Sequence, residues 1–508
     1  MPYEYLWADM HANPHHHQIG QLEQWYRHAR QVMDFWPIAY YPFAIRRTPT
    51  GAELEDLIPE ADLRADWDAV LALARCAEAE GWPLFPGYEW QGNGSDGDHN
   101  VFFPTTAGEM LHPMTYAELR DALKPSGAIA IPHHVAYQPG SRGKNWATHD
   151  PEFSPFAEIY SSHGCSENDD GPIGMERHEH MGPRTSVTCY EAGLDRGIEV
   201  GCIASGDNHA VPGECDHGMM CVLAASRSRA DIWQGLQARR VYGVSRSRMQ
   251  INATLGGADI GARVAPGPAE LSLDLTAANA IDRVEILKDN ILEKMVVHSG
   301  TWERAPLPER FAFKFELEFG WGPETRIFPD AAEKLWQGRL EVPGRILSVE
   351  KLWNTFGQQI VEQQERSCEF RLTTHRGTES GKWMGPSQVR RESLVFEVEG
   401  GIDDVLQLTV DGERYELPVR QMLQGTRIYA QYRQSEARIT EKFGPTPHYR
   451  DDFIWHCAFK FRVRRAAPAA AYRLQYRQPL ELEPGSQYRL RVWLKNGDAA
   501  WVSPFFCR

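Results

Sequence analysis

Five short segments in the first half of this chain share one arrangement, in which an apolar, β-prone run ends in histidine, aspartate or glutamate. They are EYLWADMHANPHHH (4–17), LFPGYEWQG (84–92), AIAIPHHVA (128–136), FAEIYSSHG (156–164) and GCIASGDNH (201–209). In a barrel of parallel strands such ends meet at one rim, so residues far apart in sequence converge on one site. Crowded imidazole and carboxylate groups need cations to hold them together. The pattern therefore predicts a metal centre, and 15 of the 19 histidines lie within the first 217 residues.

The bulk composition narrows the class of protein. A length of 508 residues predicts two or three domains. The net charge of −15 argues against nucleic-acid partners, because non-specific binding relies on Lys and Arg at the phosphates. A small-molecule substrate, including an anionic one, is compatible, since metal ions reverse the local field.

Targeting signals are not evident in the sequence. It opens without a signal-peptide pattern, and no apolar run approaches the roughly 18 residues of a membrane span. The nine cysteines lack the spacing of a disulfide framework. We therefore expect a cytoplasmic protein without a membrane partner, of unknown oligomeric state.

Strand and helix patterns alternate from Tyr3 to about Leu255, which predicts parallel strands with helical crossovers. An open doubly wound sheet and a closed barrel both fit this alternation. Polar residues at the ends of five strands favour the barrel, because an open sheet concentrates its site at one switch point. Helices are expected near 20–33, 64–80, 115–124, 184–196 and 228–240.

The sequence pattern changes beyond about Gln250. Period-2 segments such as MQINATL, AFKFELEF and YRLRVWL are separated by Gly, Pro and Asp turns, which is typical of antiparallel sheets with one wet face. We therefore expect a metal-binding α/β barrel at 1–250 and an all-β, sandwich-like region at 251–508. A split near 345 would give the second region two units.

Candidate ligands follow from the strand ends. His11 comes directly after an apolar run, and Asp9 lies on the same strand face, where it could orient an imidazole. Glu89 lies between two aromatic residues at a strand end. His163 ends another strand, whereas Glu158, five residues earlier, is expected to support the barrel interior.

Two further segments supply paired candidates. His133 and His134 are expected to point to opposite faces, so that one of them faces the metal. Asp207 and His209 have one residue between them, and in a strand-like conformation both would lie on the same side. His99 follows a Gly-rich loop and is open to either substrate contact or a structural role.

Taken in order, these segments resemble the PHP (polymerase and histidinol phosphatase) superfamily of metal-dependent phosphoesterases. The similarity is greatest to a branch of unknown function in which a PHP-like barrel precedes a β-rich region. The motifs are LWADMH (6–11), GYEW (87–90), HNVFF (99–103), IPHH (131–134), EIYSSHGCSE (158–167) and ASGDNH (204–209), together with IWQGLQARRVYG (232–243) and RVWLKNGDAAWVSPFF (491–506). The resemblance implies a distorted (β/α)7 barrel with one to three divalent ions, commonly Zn, Mn or Fe. It implies that the metal ligands are His11, Glu89, His133 or His134, His163, Asp207 and His209. Apart from the resemblance, Asp9 and His17 are possible additional ligands.

Two departures from the family pattern affect the number of metals. Asn13 stands where the first motif has a second histidine, and Tyr40–Tyr41 replace a ligand histidine of the second motif. Tyrosine is a poor substitute for a neutral imidazole, because its pKa lies near 10. His15 or His17 could fold back and compensate for these losses.

The leading hypothesis is a metal-dependent phosphoesterase that uses a metal-activated water. Glu89 would bridge the cations, Asp207 would accept the proton of the water, and His99 or the unused member of the His133/His134 pair would protonate the leaving group. The same site could hydrolyse a carboxylic ester, amide or lactone, because fold does not decide the reaction. A third reading is a non-catalytic binding protein for a glycan or protein, with Trp36, Trp90 and Trp146 as stacking platforms.

Overall fold

The computed structural model describes residues 3–51, 53–175, 184–209, 211–212, 217–323, 325, 327–352, 358–375, 392–445 and 450–508. Its α-helices are Leu22–Val32, Glu60–Ala79, Tyr116–Leu123, Tyr190–Asp195, Arg229–Gln237, Val419–Gln424, Tyr432–Phe443, Asp452–Cys457 and Ala469–Tyr472. Short 3-10 helices occupy His16–Gln21, Lys124–Ser126, Ser186–Thr188 and Pro329–Ala332. The described chain is rich in β-structure and divides it among many sheets.

Strands are distributed over the whole chain. Those before residue 249 are Glu4–Ala8, Trp36–Pro37, Phe43–Arg47, Glu53–Leu57, Leu84–Phe85, Gly87–Trp90, His99–Phe102, Ile129–Pro132, Phe156–Ser161, Gly164–Cys165, Gly201–Ala204, Met219–Ala224 and Val241–Val244. Those that follow are Met249–Leu255, Ala258–Asp259, Arg263–Val264, Gly267–Ala277, Ile281–Lys288, Ile291–Val297, Phe311–Trp321, Glu333–Glu341, Arg345–Lys351, Gln359–Gln363, Ser367–His375, Glu392–Gly400, Val405–Val410, Glu413–Pro418, Arg427–Ala430, Lys460–Val463, Ala467–Pro468, Arg473–Leu482, Gln487–Leu494, Ala499–Val502 and Phe505–Cys507.

The strand pairing does not confirm a seven-stranded parallel barrel. Parallel ladders join Trp36–Pro37 to Leu84–Phe85 and Phe156–Ser161 to Gly201–Ala204. Strand Glu4–Ala8, by contrast, runs antiparallel to its neighbour in the sheet. The expectation of parallel strands throughout the first half is therefore met only in part.

The segment HNVFF accounts for another departure. Its strand, His99–Phe102, pairs antiparallel with Gly87–Trp90 on one side and with Ile129–Pro132 on the other. The connection from residue 90 to residue 99 contains no helix, and a short link of this kind favours antiparallel pairing.

One nine-stranded sheet links the two ends of the sequence. Its continuous path is Glu4–Ala8, Met219–Ala224, Val241–Val244, Ala499–Val502, Gln487–Leu494, Ile281–Lys288 and Ile291–Val297. The largest core cluster accordingly draws residues from 7–286 and 482–507. A second apolar core lies within 311–466. The division at residue 250, and the split near 345, remain predictions.

The β-rich second half agrees with its alternating sequence. In Met249–Leu255 the residues at every second position are buried, beginning with Met249. The helix Tyr432–Phe443, and its shorter neighbours in that half, were not expected from the sequence. Within the described ranges no helix is both long and apolar enough to span a bilayer.

Candidate metal centre

The segments that carry His11 and Asp207 lie side by side, each three residues beyond the end of a strand. The backbone NH of Asn13 donates to the carbonyl oxygen of Asn208 at 2.8 Å, and the NH of Asn208 donates to the carbonyl of His11 at 3.1 Å. These bonds hold together two stretches of chain that are nearly two hundred residues apart in sequence. Asp207 has a φ of 49°, a left-handed conformation uncommon outside glycine.

His11 lies among three buried carboxylates. Its Nδ1 is 2.9 Å from Oε2 of Glu158. Its Nε2 lies 3.6 Å from Oε2 of Glu89 and 3.5 Å from Oδ1 of Asp207. All four side chains are almost inaccessible to solvent. Glu158 therefore fixes one ring nitrogen and leaves the other directed between two acidic oxygens.

His133 and His134 lie on the same side of the site, contrary to the expectation from strand alternation. Their ring centroids are 4.4 Å apart. Nε2 of His133 is 3.8 Å from Glu89 Oε1, and Nε2 of His134 is 3.7 Å from Asp98 Oδ2. The alternation fails because both residues follow the strand Ile129–Pro132 and His134 has a φ of 36°.

His163 contacts the opposite oxygen of Asp207. Its Nε2 lies 3.0 Å from Oδ2 of Asp207, while its Nδ1 lies 2.6 Å from the hydroxyl of Tyr137. Tyr137 thereby orients the imidazole, as hydrogen-bonded partners of metal ligands commonly do.

These residues form four overlapping groups of potential ligands. In each group the ligand atoms all lie within 4.8 Å of one another. The groups are His11–Glu89–His133, Asp98–His133–His134, His134–His163–Asp207 and His11–Glu158–Asp207. Imidazole together with carboxylate is a donor set suited to Zn, Mn and Fe.

Several ring nitrogens in these groups have no hydrogen-bond partner. They are Nε2 of His11, both nitrogens of His133 and Nδ1 of His134, all deeply buried. Oε1 of Glu158 is also without a partner. Unsatisfied buried polar atoms are rare and costly, so this concentration fits a site built to hold cations.

Protonation in the site follows burial and charge. Burial, together with the adjacent histidines, lowers the pKa of His133 and His134 well below the usual value, which leaves neutral imidazoles with free lone pairs. Burial raises the pKa of Glu158 to about 7 and that of Asp98 to about 8. Burial also opposes the charge on Asp207, but His11 and His163 outweigh it and hold its pKa well below the ordinary value.

Asp9 has a different role from the one expected. Its carboxylate accepts the backbone NH groups of His11 and Gly206, both at 2.9 Å, and not the His11 ring. Asp9 therefore fastens two loops of the site. The ring partner is Glu158, from a strand distant in sequence, whose expected role was only to support the interior.

His209 shares no donor group with Asp207 among the described residues, so the expectation that both bind one metal stays a prediction. The left-handed backbone at Asp207 breaks the strand-like alternation. His209 instead places Nδ1 2.7 Å from Nε2 of His15, and both rings pack on Tyr41. His17 is exposed. His209 and His17 belong to none of the four groups found among the described residues.

His99 is buried outside the four groups. Its Nδ1 is 2.9 Å from the carbonyl oxygen of Gly97, which can only accept, so Nδ1 carries the hydrogen. Its Nε2 then accepts from Nζ of Lys144 at 3.2 Å. Lys144 is also buried.

Arg142 is held between two carboxylates at the edge of the site. One guanidinium nitrogen, Nη1, donates to Asp98 Oδ2 at 2.8 Å, and Nη2 donates to Glu55 Oε1 at 2.6 Å. The side chain of Arg46, by contrast, is 62% exposed.

Two members of the groups, Glu158 and Asp98, were not among the predicted ligands. Glu158 could have been recognised from the sequence as a ligand candidate, because it is a charged residue in the middle of an otherwise apolar strand. Asp98 directly precedes His99 in a loop rich in Gly and Asp, and nothing local distinguishes it from Asp96.

The aromatic residues proposed as a sugar platform are all buried. Trp36, Trp90 and Trp146 are at most 4% exposed. Tyr40 is buried as well, and its hydroxyl donates to Asp66 at 2.5 Å. These tryptophans therefore pack in the interior and do not offer a stacking surface.

Comparison with known proteins gives little support for a family. No protein-family model matches the chain, and no curated protein matches it. Among solved structures it is similar to a crystal structure of a two-domain protein from Bacteroides vulgatus that contains a predicted PHP-like metal-dependent phosphoesterase. The identity is 12%, the match covers 82% of this chain and 95% of that chain, and the TM-score is 0.32. The functional conclusion depends instead on the donor groups themselves.

Proposed function

We propose that this protein is a metal-dependent hydrolase, and that phosphoesters are its substrates. The observation that supports the proposal is the set of four overlapping, buried donor groups, in which Nε2 of His11, both ring nitrogens of His133 and Nδ1 of His134 lack hydrogen-bond partners. A site of this kind is costly to fold unless cations repay the burial of its polar atoms.

The residues proposed to hold one to three ions of Zn, Mn or Fe are His11, Glu89, Asp98, His133, His134, Glu158, His163 and Asp207. Bound divalent ions would acidify water and polarise the bond to be broken. His209, with His15, would act beside the centre. The protein is further proposed to be cytoplasmic and to act on a small molecule.

The chain itself positions the proposed catalytic groups. Asp207, the proposed proton acceptor, is held by His163 and by the Ser161 hydroxyl at 3.4 Å. Glu89 accepts from the side-chain amides of Asn13 at 3.0 Å and Gln91 at 3.1 Å. Asn13, which replaces a family histidine, thus steadies a carboxylate.

The role of His99 as an acid depends on Lys144. Because Nε2 of His99 accepts from Lys144 Nζ, the proton at this position resides on the amine. His99 can protonate a leaving group only after Lys144 passes that proton to it. Both residues belong to the proposed proton path.

Activity assays test the proposal directly. Protein purified without an affinity tag is loaded with Zn, Mn or Fe and given aryl phosphate monoesters and diesters beside aryl carboxylic esters. We expect metal-stimulated release from phosphate esters, loss of activity on chelation, and a fall of about 100-fold or more in Asp207→Asn. The exposed Asp403→Asn is the control. Turnover confined to carboxylic esters, or no metal-stimulated turnover, would overturn the assignment.

A further inference from the structure

Arg142 is the more exposed end of a chain of polar contacts that leads through Asp98 to His134. Its side chain is 21% exposed, whereas that of Asp98 is 3% exposed. Asp98 in turn lies 3.7 Å from His134. One guanidinium nitrogen, Nη1, therefore contacts a residue of the donor groups, and the other, Nη2, contacts Glu55.

Nη2 of Arg142 donates to a carboxylate from an exposed hairpin. The hairpin consists of strands Phe43–Arg47 and Glu53–Leu57, and most of its described side chains are exposed. Phe43 and Glu55 are exceptions, and the side chain of Glu55 is only 9% exposed. Its Oε1 accepts from Arg142 at 2.6 Å and its Oε2 accepts from Gln91 at 2.6 Å.

Gln91 connects the same carboxylate to the centre. The amide nitrogen that donates to Glu55 also lies 3.1 Å from Glu89 Oε1. Glu55 thus occupies two donors, one from Arg142 and one from Gln91, beside two residues of the donor groups. The ion pair of Arg46 with Asp56 on the same hairpin is, by contrast, more than 60% exposed on both sides.

We propose that Arg142 and Gln91 form the anion-binding site for the substrate, and that Glu55 is an internal mimic of the substrate's anionic group. An incoming phosphate would displace the Glu55 carboxylate and take its place on Nη2 of Arg142. Guanidinium is suited to this exchange, because its fork of donors matches phosphate as well as carboxylate.

The inference rests on the proposed function and deepens it, since it explains why an anionic ester is selected over a neutral one. A neutral carboxylic ester carries no negative charge, so it cannot replace the ion pair that Arg142 makes with Glu55. A phosphate group carries more than one negative charge and competes for Arg142 effectively. Specificity then comes from the cost of removing the internal carboxylate.

Binding of inorganic phosphate to the full chain tests the inference without reliance on turnover. Isothermal titration compares the wild type with Glu55→Gln, Arg142→Gln and the hairpin control Asp56→Asn, each metal-loaded. We expect Glu55→Gln to bind phosphate about tenfold more tightly, because the competing charge is gone. Arg142→Gln should bind it about tenfold or more weakly, and Asp56→Asn should match the wild type.

Arg142→Lys is a second variant, included in case Arg142→Gln fails to fold. It keeps the charge without the fork, so it should fold and bind phosphate with intermediate affinity. Equal phosphate affinity in all variants, weaker binding in Glu55→Gln, or no phosphate binding by any of them would overturn the inference.

The two proposals fail in different ways. If phosphate esters are hydrolysed but the phosphate affinity is unchanged by substitution of Arg142 and Glu55, the proposed anion site is wrong and the proposed function stands. If no ester is hydrolysed but phosphate affinity follows the expected order, the anion site stands and the proposed function is wrong.

Discussion

At the scale of single residues, the site depends on partners that are remote in sequence. His11 and Glu158 are 147 positions apart, yet their side chains are 2.9 Å apart and buried. Asp9, two positions from His11, accepts from the backbone NH of His11 and not from its ring. Local spacing therefore identifies which residues carry the chemistry but not which of them pair.

Glu158→Gln tests the most consequential of these pairs. The substitution keeps an oxygen acceptor for His11 but removes the negative charge that completes one donor group. We expect metal affinity, measured by competition with a chelator, to fall about 10–100-fold while the fold persists. Glu152→Gln, whose parent side chain is 78% exposed, is the matched control. Unchanged affinity in Glu158→Gln would remove this residue from the centre.

Lys144 predicts a pH dependence of stability. Burial lowers the pKa of Lys144 to about 7 from the ordinary 10.5. Between these values the unfolded chain binds the extra proton, so stability rises with pH across that window. The cost of burying the charged amine is full below about pH 7 and disappears towards pH 10.5.

Lys144→Met removes that titration. Relative to the wild type, the variant should have its greatest gain in melting temperature near pH 6, and the gain should shrink or reverse near pH 10. Calorimetry of both proteins in chelator measures the difference. A difference in melting temperature that does not change with pH would show that Lys144 keeps its ordinary pKa, and would contradict the prediction.

At the scale of elements, close approach of strands fixes the loop that carries Asp207. Gly243, in strand Val241–Val244, faces the end of strand Gly201–Ala204. A Cβ at this position would lie 2.4 Å from the backbone nitrogen of Ala204. The glycine therefore permits the two strands to lie in close contact, and any larger residue would force them apart.

Gly243→Ala should destabilise the protein by about 1–3 kcal/mol, because backbone atoms must move to admit the methyl group. The expected displacement is next to the Asp207 loop, so metal affinity should fall as well. Gly20→Ala is the control, since a Cβ there has nothing within 4 Å. Denaturant unfolding and metal titration measure both effects; equal stability in the two variants would contradict the packing argument.

The elements themselves were largely predictable, whereas their pairing was not. The strand at Phe156–Ser161 and the helix at Tyr116–Leu123 follow from apolar periodicity and capping by Thr115, which are local properties. The antiparallel pairing of Glu4–Ala8 depends on a strand more than two hundred residues later. The positive φ at His134 and Asp207 likewise has no local signal, since neither is glycine.

At the scale of the whole molecule, a buried ion network joins the site segment to the last strands. Arg489 is 1% exposed and contacts both Glu167 and Glu191. Glu167 also accepts from the indole NH of Trp501 at 3.0 Å. The EIYSSHGCSE segment is thus tied to the C-terminal part of the nine-stranded sheet, which the sequence pattern alone did not indicate.

Arg489→Met should destabilise the whole protein by about 3–5 kcal/mol, because Glu167 is left buried without its main partner. Burial opposes the charge on Glu167, but Arg489 and Arg491 outweigh it and lower its pKa below 4.5. That stabilisation is present above pH 4.5 and is lost as the pH falls through the lowered value. The variant should therefore lose less stability than the wild type on acidification.

Arg420→Met provides the comparison for Arg489→Met. Arg420 pairs with Asp403 on the surface, where both side chains are more than half exposed, so its loss should cost no more than about 1 kcal/mol. Equal unfolding free energies for the two variants would mean that the buried network does not hold the ends of the chain together.

Elemental analysis of the tag-free protein after extensive dialysis tests the central claim most directly. The donor groups predict at least one equivalent of Zn, Mn or Fe in the wild type. They also predict loss of that metal in a variant that combines His133→Ala with Asp207→Asn. A wild type that retains no divalent metal, and takes up none when it is supplied, would contradict the account.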